Sequence, residues 1–148
     1  NQSSKILDIG SGKGFLAYEL QKILKNKNIL CCDVSKYAIK NSKKELYNKV
    51  FYHDIKKKFK YKNNHFDLVL SINVLHNLKL ENLEKSLKEI DRLSNNKFIC
   101  VESYKNDKQQ FNLQCWALTA ETIIDTKSWK WIFKKSNYSG DFEFIYFD

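Results

Sequence analysis

Short apolar runs alternate with longer amphipathic runs over most of the chain. A short apolar run predicts a buried strand, whereas apolar positions repeating about every three or four residues predict one face of a helix. The predicted strands are residues 5–9, 28–33, 50–52, 66–72 and 97–104. The predicted helices are residues 13–26, with Leu16, Leu20, Ile23 and Leu24 on one stripe, a helix capped by Ser35 with Ala38, Ile39, Ser42 and Leu46 on one face, and a helix marked by Leu80, Leu83, Leu87 and Ile90.

The alternation of strands and helices predicts the fold class. Strands separated by helices are parallel and joined by crossovers, so we expect an α/β, doubly wound sheet with helices on both faces. Residues 66–72, FDLVLSI, are the most hydrophobic run and predict a central strand covered on both faces. Past residue 104 the pattern loosens and predicts helices at residues 109–118 and 127–135 and a last strand at residues 141–147.

Length and composition predict one domain. The chain has 148 residues, 43% of them hydrophobic, which is enough for a buried core in a single domain over residues 1–148. It contains no Met, even at position 1, so we expect an excerpt of a longer chain that lacks the preceding helices. The sequence has no apolar run of about 18 residues, which disfavours a membrane protein and predicts a cytoplasmic one.

The four cysteines do not form a metal-binding pattern. Cys31 and Cys32 are adjacent, and neighbouring strand residues point to opposite faces. Cys100 and Cys115 lie far from that pair and from each other, so the close spacings of zinc ligands are missing from the sequence. We therefore expect no metal, and buried thiols in a reducing compartment.

The net charge of +9 raises the question of a nucleic-acid partner, since lysine and arginine neutralise phosphates. Of the 26 basic residues, however, only Arg92 is arginine. Arginine is the side chain that binds phosphates and bases through two parallel hydrogen bonds, so its scarcity disfavours nucleic acid as the partner. The densest basic run, residues 56–62, favours a solvated loop.

Three glycines, Gly10, Gly12 and Gly14, lie on the turn between the first strand and the first helix, in KILDIGSGKGFLAYEL. In a doubly wound sheet this turn lies beside the ligand crevice, and glycine lets the backbone approach a ligand closely. A triphosphate loop needs four residues between its glycines and then Lys-Ser or Lys-Thr, which are missing here. A dinucleotide loop, which would place its third glycine at Phe15, is weakened but stays open, and an adenosyl compound remains as the third ligand class.

A carboxylate lies near the end of each of the first three strands. Asp8 precedes the glycine turn, where it suits a cationic amino group better than a pyrophosphate. Asp33 ends the second strand, where an acidic side chain can accept from both ribose hydroxyls, and Asp54 follows the third, where it can accept from an adenine amino group. Each feature has a simpler alternative: a tight turn for the glycines, a helix cap for Asp33 and a solvated loop for Asp54. Their order and spacing favour a ligand with an amino-acid end, a ribose and an adenine.

Four motifs in this order make the chain resemble the class I S-adenosylmethionine-dependent methyltransferases: LDIGSGKG, CCDVSKYAI, HDI and FDLVLSINVLHNL. The resemblance covers about residues 5–104. It implies a mostly parallel, Rossmann-like sheet of about six to seven strands whose last strand or strands run antiparallel. It also implies S-adenosylmethionine as the cofactor and methyl transfer as the reaction. The cofactor-binding residues implied by the resemblance are Asp8, Gly10, Ser11, Gly12, Gly14, Asp33, Val34, Asp54, Ile55, Ser71 and Asn73.

The resemblance also assigns these residues to parts of the cofactor. Asp8 and the three glycines would hold the methionine portion, and Asp33 would hold the ribose. Asp54 and Ile55 would bind the adenine. Ser71 and Asn73, at the end of the fourth strand, would line the methionine and sulfonium side.

The acceptor side of the site is predicted only in outline. Methyl transfer needs an aligned acceptor and, where the acceptor is protonated, a base to remove the proton. His76 is a candidate general base because imidazole titrates near neutral pH, although a partly buried histidine with a backbone partner is the favoured alternative. Glu102 and Tyr104 alternate after FICV, so we expect them to point to one side and bind a substrate hydroxyl or amine. Glu102 also needs a partner, because it ends an apolar strand.

The acceptor is expected to be a small molecule. Family members that methylate nucleobase amines or Gln side chains usually carry an Asn/Asp-Pro-Pro-aromatic motif after the fourth strand, whereas this chain has SINVLHNL there and no proline. An RNA or DNA methyltransferase or nucleic-acid-binding domain, which would use the +9 charge, stays open as an alternative. So do an NAD(P)-dependent oxidoreductase, which would use the same glycine turn, and a domain that keeps the cofactor pocket without catalysis. The oligomeric state is not predicted.

Overall fold

The computed structural model describes residues 3–148. Its six strands are β1 Ile6–Ile9, β2 Ile29–Asp33, β3 Val50–Tyr52, β4 Leu68–Ile72, β5 Lys97–Glu102 and β6 Asp141–Ile145. They form one sheet in the order β3-β2-β1-β4-β5-β6, and each neighbouring pair is parallel. The predicted doubly wound, parallel α/β sheet is therefore confirmed.

The direction of β6 corrects one expectation. The predicted antiparallel last strand is wrong, because β6 runs parallel to β5, with Phe98 opposite Asp141 and Glu102 opposite Ile145. An antiparallel neighbour needs only a short hairpin, whereas here two helices lie between the two strands and carry the chain back to the end of the sheet at which β5 starts. A crossover of this length makes the new strand parallel to the previous one.

The helices are α1 Phe15–Leu24, α2 Lys36–Lys40, α3 Leu80–Leu93, α4 Asp107–Trp116 and α5 Thr126–Lys135, with single 3-10 turns at Lys44–Leu46 and Leu75–Asn77. Ser35 caps α2 as predicted, because its side chain accepts the N–H of Ala38 at 3.1 Å. The helix ends at Lys40, however, so Ser42 and Leu46 do not continue its predicted face. Leu46 is instead buried from a separate 3-10 turn.

The core consists of two layers, one on each face of the sheet. Leu7, Ile9, Val69 and Ile99 pack under α3 and α5 on one face, whereas Ile6, Ile29 and Leu70 pack with Ala17 of α1 on the other. Cys31 and Cys32 lie in opposite layers, as the alternation of strand residues predicts. Leu83, Leu87 and Ile90 of α3 are buried as predicted, whereas Leu80, the first position of the predicted stripe, is exposed.

The predicted stripe of α1 is wrong at three of its four positions, because only Leu20 packs against the core. Leu16, Ile23 and Leu24 are exposed, whereas Ala17 is fully buried. The glycine turn sets where the helix begins and therefore which side faces the sheet, since Gly14 adopts a left-handed conformation immediately before Phe15. A small residue at position 17 then lets the helix lie close to the strands.

Two further expectations concern the cysteines and membrane insertion. Cys115 is exposed and Cys100 is half-buried, so the prediction of four buried thiols is wrong for these two positions. Cys100 lies in β5, and Cys115 lies on α4. Among residues 3–148, no helix has the length and apolar character needed to cross a bilayer.

Candidate functional site

A cavity of about 260 Å³ lies at the carboxyl ends of β1 to β4. The strand order reverses at β1, which has β2 and β3 on one side and β4 to β6 on the other. Ligands of doubly wound sheets bind in the crevice at such a reversal, outside the carboxyl ends of the strands. The lining residues are Ile9, Gly10, Asp33, Val34, Tyr52, His53, Asp54, Ile55, Lys56, Val74, Asn77 and Leu78.

The cavity gathers part of the predicted cofactor set. Gly10, Asp33, Val34, Asp54 and Ile55 line it, although they come from three different strand ends. Sequence reasoning missed the other seven lining residues, which flank the predicted motifs. Only their closeness in sequence to the predicted motifs could have found them. Two of them come directly before the aspartate of HDI, and three lie within the stretch SINVLHNL.

The glycine turn contains two kinds of glycine. All three have positive φ, at 70°, 55° and 76° for Gly10, Gly12 and Gly14. A Cβ on Gly10 would collide with Val74 and one on Gly14 with Leu46, so packing within the chain excludes a side chain at both. A Cβ on Gly12 would meet nothing within 4 Å. The open space beside Gly12 therefore suits a ligand lying against the loop.

Asp33 ties the glycine turn to the start of α2. One carboxylate oxygen accepts the N–H of Gly12 at 2.8 Å and the other accepts the N–H of Ser35 at 2.7 Å. The cap of α2 is Ser35, so the alternative in which Asp33 itself caps that helix is wrong. Each carboxylate oxygen can accept a second hydrogen bond, so Asp33 can hold the loop and still receive a ligand hydroxyl.

Asp8 is a buried carboxyl behind the glycine turn. It is 2% exposed, and its Oδ2 has no hydrogen-bond partner among the described residues. Burial, and secondarily the charge of Asp33, raise the pKa of Asp8 from 3.8 to about 7. A cationic group bound beside Asp8 would favour its ionised form, whereas a second anion would not. This chemistry fits an ammonium group better than a phosphate.

Two more unpaired polar atoms lie at the end of β4, the neighbour of β1. The Oγ of Ser71 and the Oδ1 of Asn73 are both buried, and neither has a hydrogen-bond partner within residues 3–148. Asn73 adopts a left-handed conformation with φ of 56°, and its N–H donates to the carbonyl of Cys100 at 2.9 Å. Buried polar atoms normally have partners, so this end of the sheet offers free hydrogen-bonding capacity.

The remaining predicted cofactor residues are held by local contacts. The N–H of Ser11 and that of Gly10 share the carbonyl of Cys32, at 3.0 Å and 2.8 Å. Asp54 accepts the backbone N–H of Lys56 at 3.0 Å and lies 3.5 Å from its ammonium. Asp54 therefore faces the cavity with part of its charge already balanced.

His76 and Glu102 form a buried pair beside the cavity. The Nδ1 of His76 contacts the Oε2 of Glu102, and both residues are buried. His76 lies in the 3-10 turn after β4, and Glu102 is the last residue of β5. The imidazole contacts a carboxylate and not the backbone partner of the favoured alternative, although its burial in a helical turn agrees with that alternative. Tyr104 is not part of this pair and lines a separate depression with Lys105, Asp125, Thr126 and Lys127.

The connection between α4 and α5 holds the His76 turn in place. The N–H groups of Glu121 and Thr122 donate to the carbonyl of His76 at 2.9 Å and 3.0 Å. The hydroxyl of Thr122 donates to the carbonyl of Leu78 at 2.6 Å, and that of Thr119 donates to Oδ1 of Asn77 at 2.8 Å. We call residues 119–122 the clamp. The sequence offers no signal for the clamp, because the contacts join residues more than 40 positions apart.

A larger depression of about 610 Å³ lies elsewhere, between residues 55–58 and α3. Its wall contains the pair Glu89 and Arg92, 2.5 Å apart. Arg92 also donates to the carbonyls of Tyr61 and Phe59, at 2.8 Å and 3.3 Å, so the single arginine holds a loop on α3. This depression contains no glycine turn and no unpaired strand-end polar group, so we assign the site to the smaller cavity.

Comparison of the sequence with protein families gives one match. The family described as "Methyltransferase domain" matches residues 7–100, which include the glycine turn, β2, β3 and β4. No curated protein matches the chain significantly.

Solved structures resemble the fold. The YcgJ protein of Bacillus subtilis superposes with a TM-score of 0.72 at 14% identity, over 92% of this chain and 62% of that one. An S-adenosylmethionine-dependent methyltransferase of Archaeoglobus fulgidus superposes with a TM-score of 0.69 at 21% identity, over 90% and 60%. A TehB-like S-adenosylmethionine-dependent methyltransferase of Corynebacterium glutamicum gives 0.53 at 26% identity, over 63% and 50%. The chain thus spans less than two thirds of the length of each of these proteins.

Proposed function

The chain belongs to the methyltransferase domain family, the class I, Rossmann-like, S-adenosylmethionine-dependent methyltransferases, and we propose that it transfers a methyl group from S-adenosylmethionine to a small-molecule acceptor. The observation that carries the proposal is the cavity at the ends of β1 to β4. Its wall combines Gly10, Asp33 and Asp54 at the strand reversal, the position expected for an adenosyl ligand. We also propose that residues 1–148 act as one domain, because both core layers share a single sheet.

Each part of the cofactor has residues suited to it. Asp33 can accept from the ribose hydroxyls with its free lone pairs, and Asp54 can accept from the adenine amino group. Val34 and Ile55 offer apolar contacts to the purine. Gly12 leaves room for the ligand beside the loop, and Ser11 and Gly14 shape the turn around it.

The amino-acid end of the cofactor would lie toward the unpaired polar atoms. Asp8 would pair with the ammonium group, and Ser71 and Asn73 would donate to or accept from the remaining polar atoms. Bound S-adenosylmethionine supplies a methyl group on a positively charged sulfur, which is already an activated leaving group. The chain's own task is therefore to orient the acceptor, exclude water and remove a proton.

His76 is the proposed base. Nδ1 of His76 contacts Glu102, so a proton on Nδ1 would face the carboxylate and Nε2 would be left as the proton acceptor. Glu102 acts through His76 and is a positioning residue. Tyr104 lies in the separate depression, so the support for His76 and Glu102 does not extend to it.

A nicotinamide-dependent oxidoreductase is the second candidate. The strand order β3-β2-β1-β4-β5-β6 is also that of dinucleotide-binding sheets, which favours it. Against it, the third glycine of the dinucleotide loop is replaced by Phe15, and the unpaired carboxyl of Asp8 would repel a pyrophosphate. The methyltransferase family match over residues 7–100 decides between them.

Calorimetric titration tests the proposal. We would titrate the chain with S-adenosylmethionine, S-adenosylhomocysteine and NADH, and repeat each titration with Asp33→Ala. Asp141→Ala is the matched control, because Asp141 is an exposed strand-end aspartate at the opposite edge of the sheet. We expect both adenosyl ligands to bind the wild type. Asp33→Ala should weaken their binding about 100-fold, because it removes charge-assisted hydrogen bonds worth about 2–3 kcal/mol.

The outcomes separate the two candidates. Binding of NADH without the adenosyl ligands would favour the oxidoreductase. If the folded wild type bound no adenosyl ligand, or if Asp33→Ala and Asp141→Ala bound equally well, the proposed cofactor site would be wrong.

A further inference from the structure

We propose that the methyl acceptor is a planar, mainly apolar molecule carrying a phenol-type hydroxyl, bound against Trp116 and Phe147 with its hydroxyl at His76. The inference rests on the proposed function and adds the acceptor's chemical class. Three features carry it: an exposed aromatic surface, a buried base with one free nitrogen, and the position of that base beside the cofactor cavity.

The aromatic surface lies next to the base. The ring centroid of Trp116, the last residue of α4, is 6.1 Å from that of His76, and the two planes are inclined by 62°. Phe147 also contacts Trp116, with the two ring centroids 4.7 Å apart. Asn112 holds this position by donating to the carbonyl of Phe147 at 3.2 Å. We call Trp116 and Phe147 the aromatic wall.

Trp116 differs from the other two tryptophans. Trp129 is fully buried in the core and donates its indole N–H to the carbonyl of Glu102 at 3.2 Å. Trp131 is exposed on α5, where the ammonium of Lys135 lies 5.0 Å from its ring centroid. Trp116 alone combines 50% exposure with contact to a buried titratable pair. A flat, half-exposed indole offers a stacking surface for a planar ligand.

The base predicts which acceptor atom reacts. Nδ1 of His76 contacts Glu102, and the second ring nitrogen, Nε2, takes no part in that contact. A carboxylate acceptor is already ionised near neutral pH and needs no base. A phenol is far more acidic than an alkyl alcohol, so an imidazole can remove its proton more readily. The pair therefore suits a phenol-type hydroxyl.

The His76 turn connects the base to the cofactor cavity. Val74, Asn77 and Leu78 line that cavity, whereas His76, between them, turns toward Glu102. A hydroxyl at Nε2 would thus lie beside the cavity rather than across the molecule. The acceptor oxygen gives its proton to Nε2 and forms a bond to the methyl carbon, whose bond to sulfur breaks with both electrons left on sulfur. The imidazolium then releases the proton to water.

The test uses 4-nitrophenol, whose anion absorbs visible light and therefore reports ionisation directly. We would titrate it into the chain, with and without saturating S-adenosylhomocysteine, following binding by calorimetry and ionisation by absorbance. We expect 4-nitrophenol to bind and to ionise more completely than in buffer. The methyl ether 4-nitroanisole should still bind but cannot ionise, because it keeps the planar ring and carries a methyl group in place of the hydroxyl proton.

Matched variants separate the wall from the base. Trp116→Ala should weaken the binding of 4-nitrophenol about tenfold. Trp131→Ala is the matched control, because it also removes an exposed tryptophan, and it should leave the binding unchanged. His76→Gln should keep binding within about threefold but abolish the extra ionisation. Glu102→Gln should reduce the ionisation and Glu102→Asp should restore part of it, as expected of a residue that positions the imidazole. Thermal unfolding would verify that each variant is folded.

Each contrary outcome is informative. If the folded wild type does not bind 4-nitrophenol, or if Trp116→Ala and Trp131→Ala bind it equally well, the acceptor proposal is wrong. Calorimetry of S-adenosylmethionine on the same samples keeps this separate from the proposed function. Adenosyl binding without 4-nitrophenol binding would overturn only the acceptor class, whereas the reverse would overturn the cofactor assignment.

Discussion

The two halves of the site are built from different kinds of contact. In the half around the glycine turn, Asp33 accepts backbone N–H groups from Gly12 and Ser35, which belong to adjacent strand ends. In the half around His76, Glu102 meets an imidazole side chain from a different strand end, and the clamp adds a third segment. The carboxylate of Asp33 thus holds backbone groups of the turn and keeps unused lone pairs for the proposed cofactor. Side-chain contacts from three segments can change with the acceptor.

The carboxyl groups show the same contrast. Asp33 has both oxygens satisfied by the chain, whereas Asp8 has an unpaired buried oxygen. The half around the glycine turn therefore combines a turn held by Asp33 with the unpaired carboxyl of Asp8. Such a group costs stability in the free chain and regains it when a cation binds.

The largest expected effect separates the halves by activity. We expect His76→Gln to lower the rate of methyl transfer about 1000-fold, the range of a general base, without changing the dissociation constant of S-adenosylmethionine. The physical reason is that the imidazole contacts Glu102 and Trp116, and His76 is not one of the residues that line the cavity. Rates at saturating cofactor and calorimetry of the cofactor measure the two quantities. An equal loss in both would mean that the halves are not independent.

The second prediction concerns Asp8 and pH. Its pKa is raised from 3.8 to about 7 in the folded chain, so the folded state holds this proton more tightly than the unfolded state. The contribution to stability is fully present below about pH 4 and is lost as the pH rises toward 7. The raised pKa of Asp8 corresponds to a change in the free energy of unfolding of about 4 kcal/mol as an upper limit.

Asp8→Asn removes this titration and is the variant to measure. In urea unfolding, we expect it to match the wild type near pH 4 and to exceed its free energy of unfolding by up to about 4 kcal/mol at pH 8. It should also weaken S-adenosylmethionine, because the ammonium loses its partner. A variant less stable than the wild type at pH 8 would show that Asp8 is already paired, and would contradict the contrast with Asp33.

The third prediction divides the glycine turn itself. Gly10→Ala places a methyl group against Val74 at positive φ, so we expect it to lower the free energy of unfolding by about 3 kcal/mol. Gly12→Ala meets no atom within 4 Å, so only the backbone strain of about 1 kcal/mol remains. Thermal unfolding measures which variant loses more stability. Calorimetry measures the affinity for the cofactor, and relative to the stability lost, Gly12→Ala should weaken cofactor binding more than Gly10→Ala.

A second substitution controls the third prediction. Val74→Ala combined with Gly10→Ala removes the collision, so the double variant should recover part of the stability. If Gly12→Ala instead proved as destabilising as Gly10→Ala, the space beside Gly12 would not be open in solution.

The half of the site around the glycine turn could be predicted from the sequence better than the half around His76. The glycine turn, Asp33 and Asp54 could be predicted because each lies at the end of a strand whose pattern is visible in the sequence. The sheet itself was predictable for that reason too, except for the direction of β6, which depends on where α5 packs. The buried side of α1 was predicted wrongly, because the turn at Gly14, and not the apolar pattern, sets which side of the helix faces the sheet.

The His76 half could be predicted only as separate candidates. A need for a partner was visible at Glu102, and His76 was visible as a candidate base. Their contact was not, because it depends on how β4 and β5 end side by side. The clamp and the aromatic wall join residues from distant parts of the chain, for which a single sequence carries no local signal.

The smallest expected effect tests the contact between the two halves. Thr119 of the clamp donates its hydroxyl to Oδ1 of Asn77 at 2.8 Å, which orients the amide of a residue that lines the cofactor cavity. Because Thr119 is exposed, water can replace most of this hydrogen bond, so Thr119→Val should weaken S-adenosylmethionine only about threefold in calorimetry. Thr119→Ser keeps the hydroxyl and should bind like the wild type. A fall in the methyl-transfer rate at saturating cofactor, with unchanged affinity, would instead assign Asn77 to the half that holds the base.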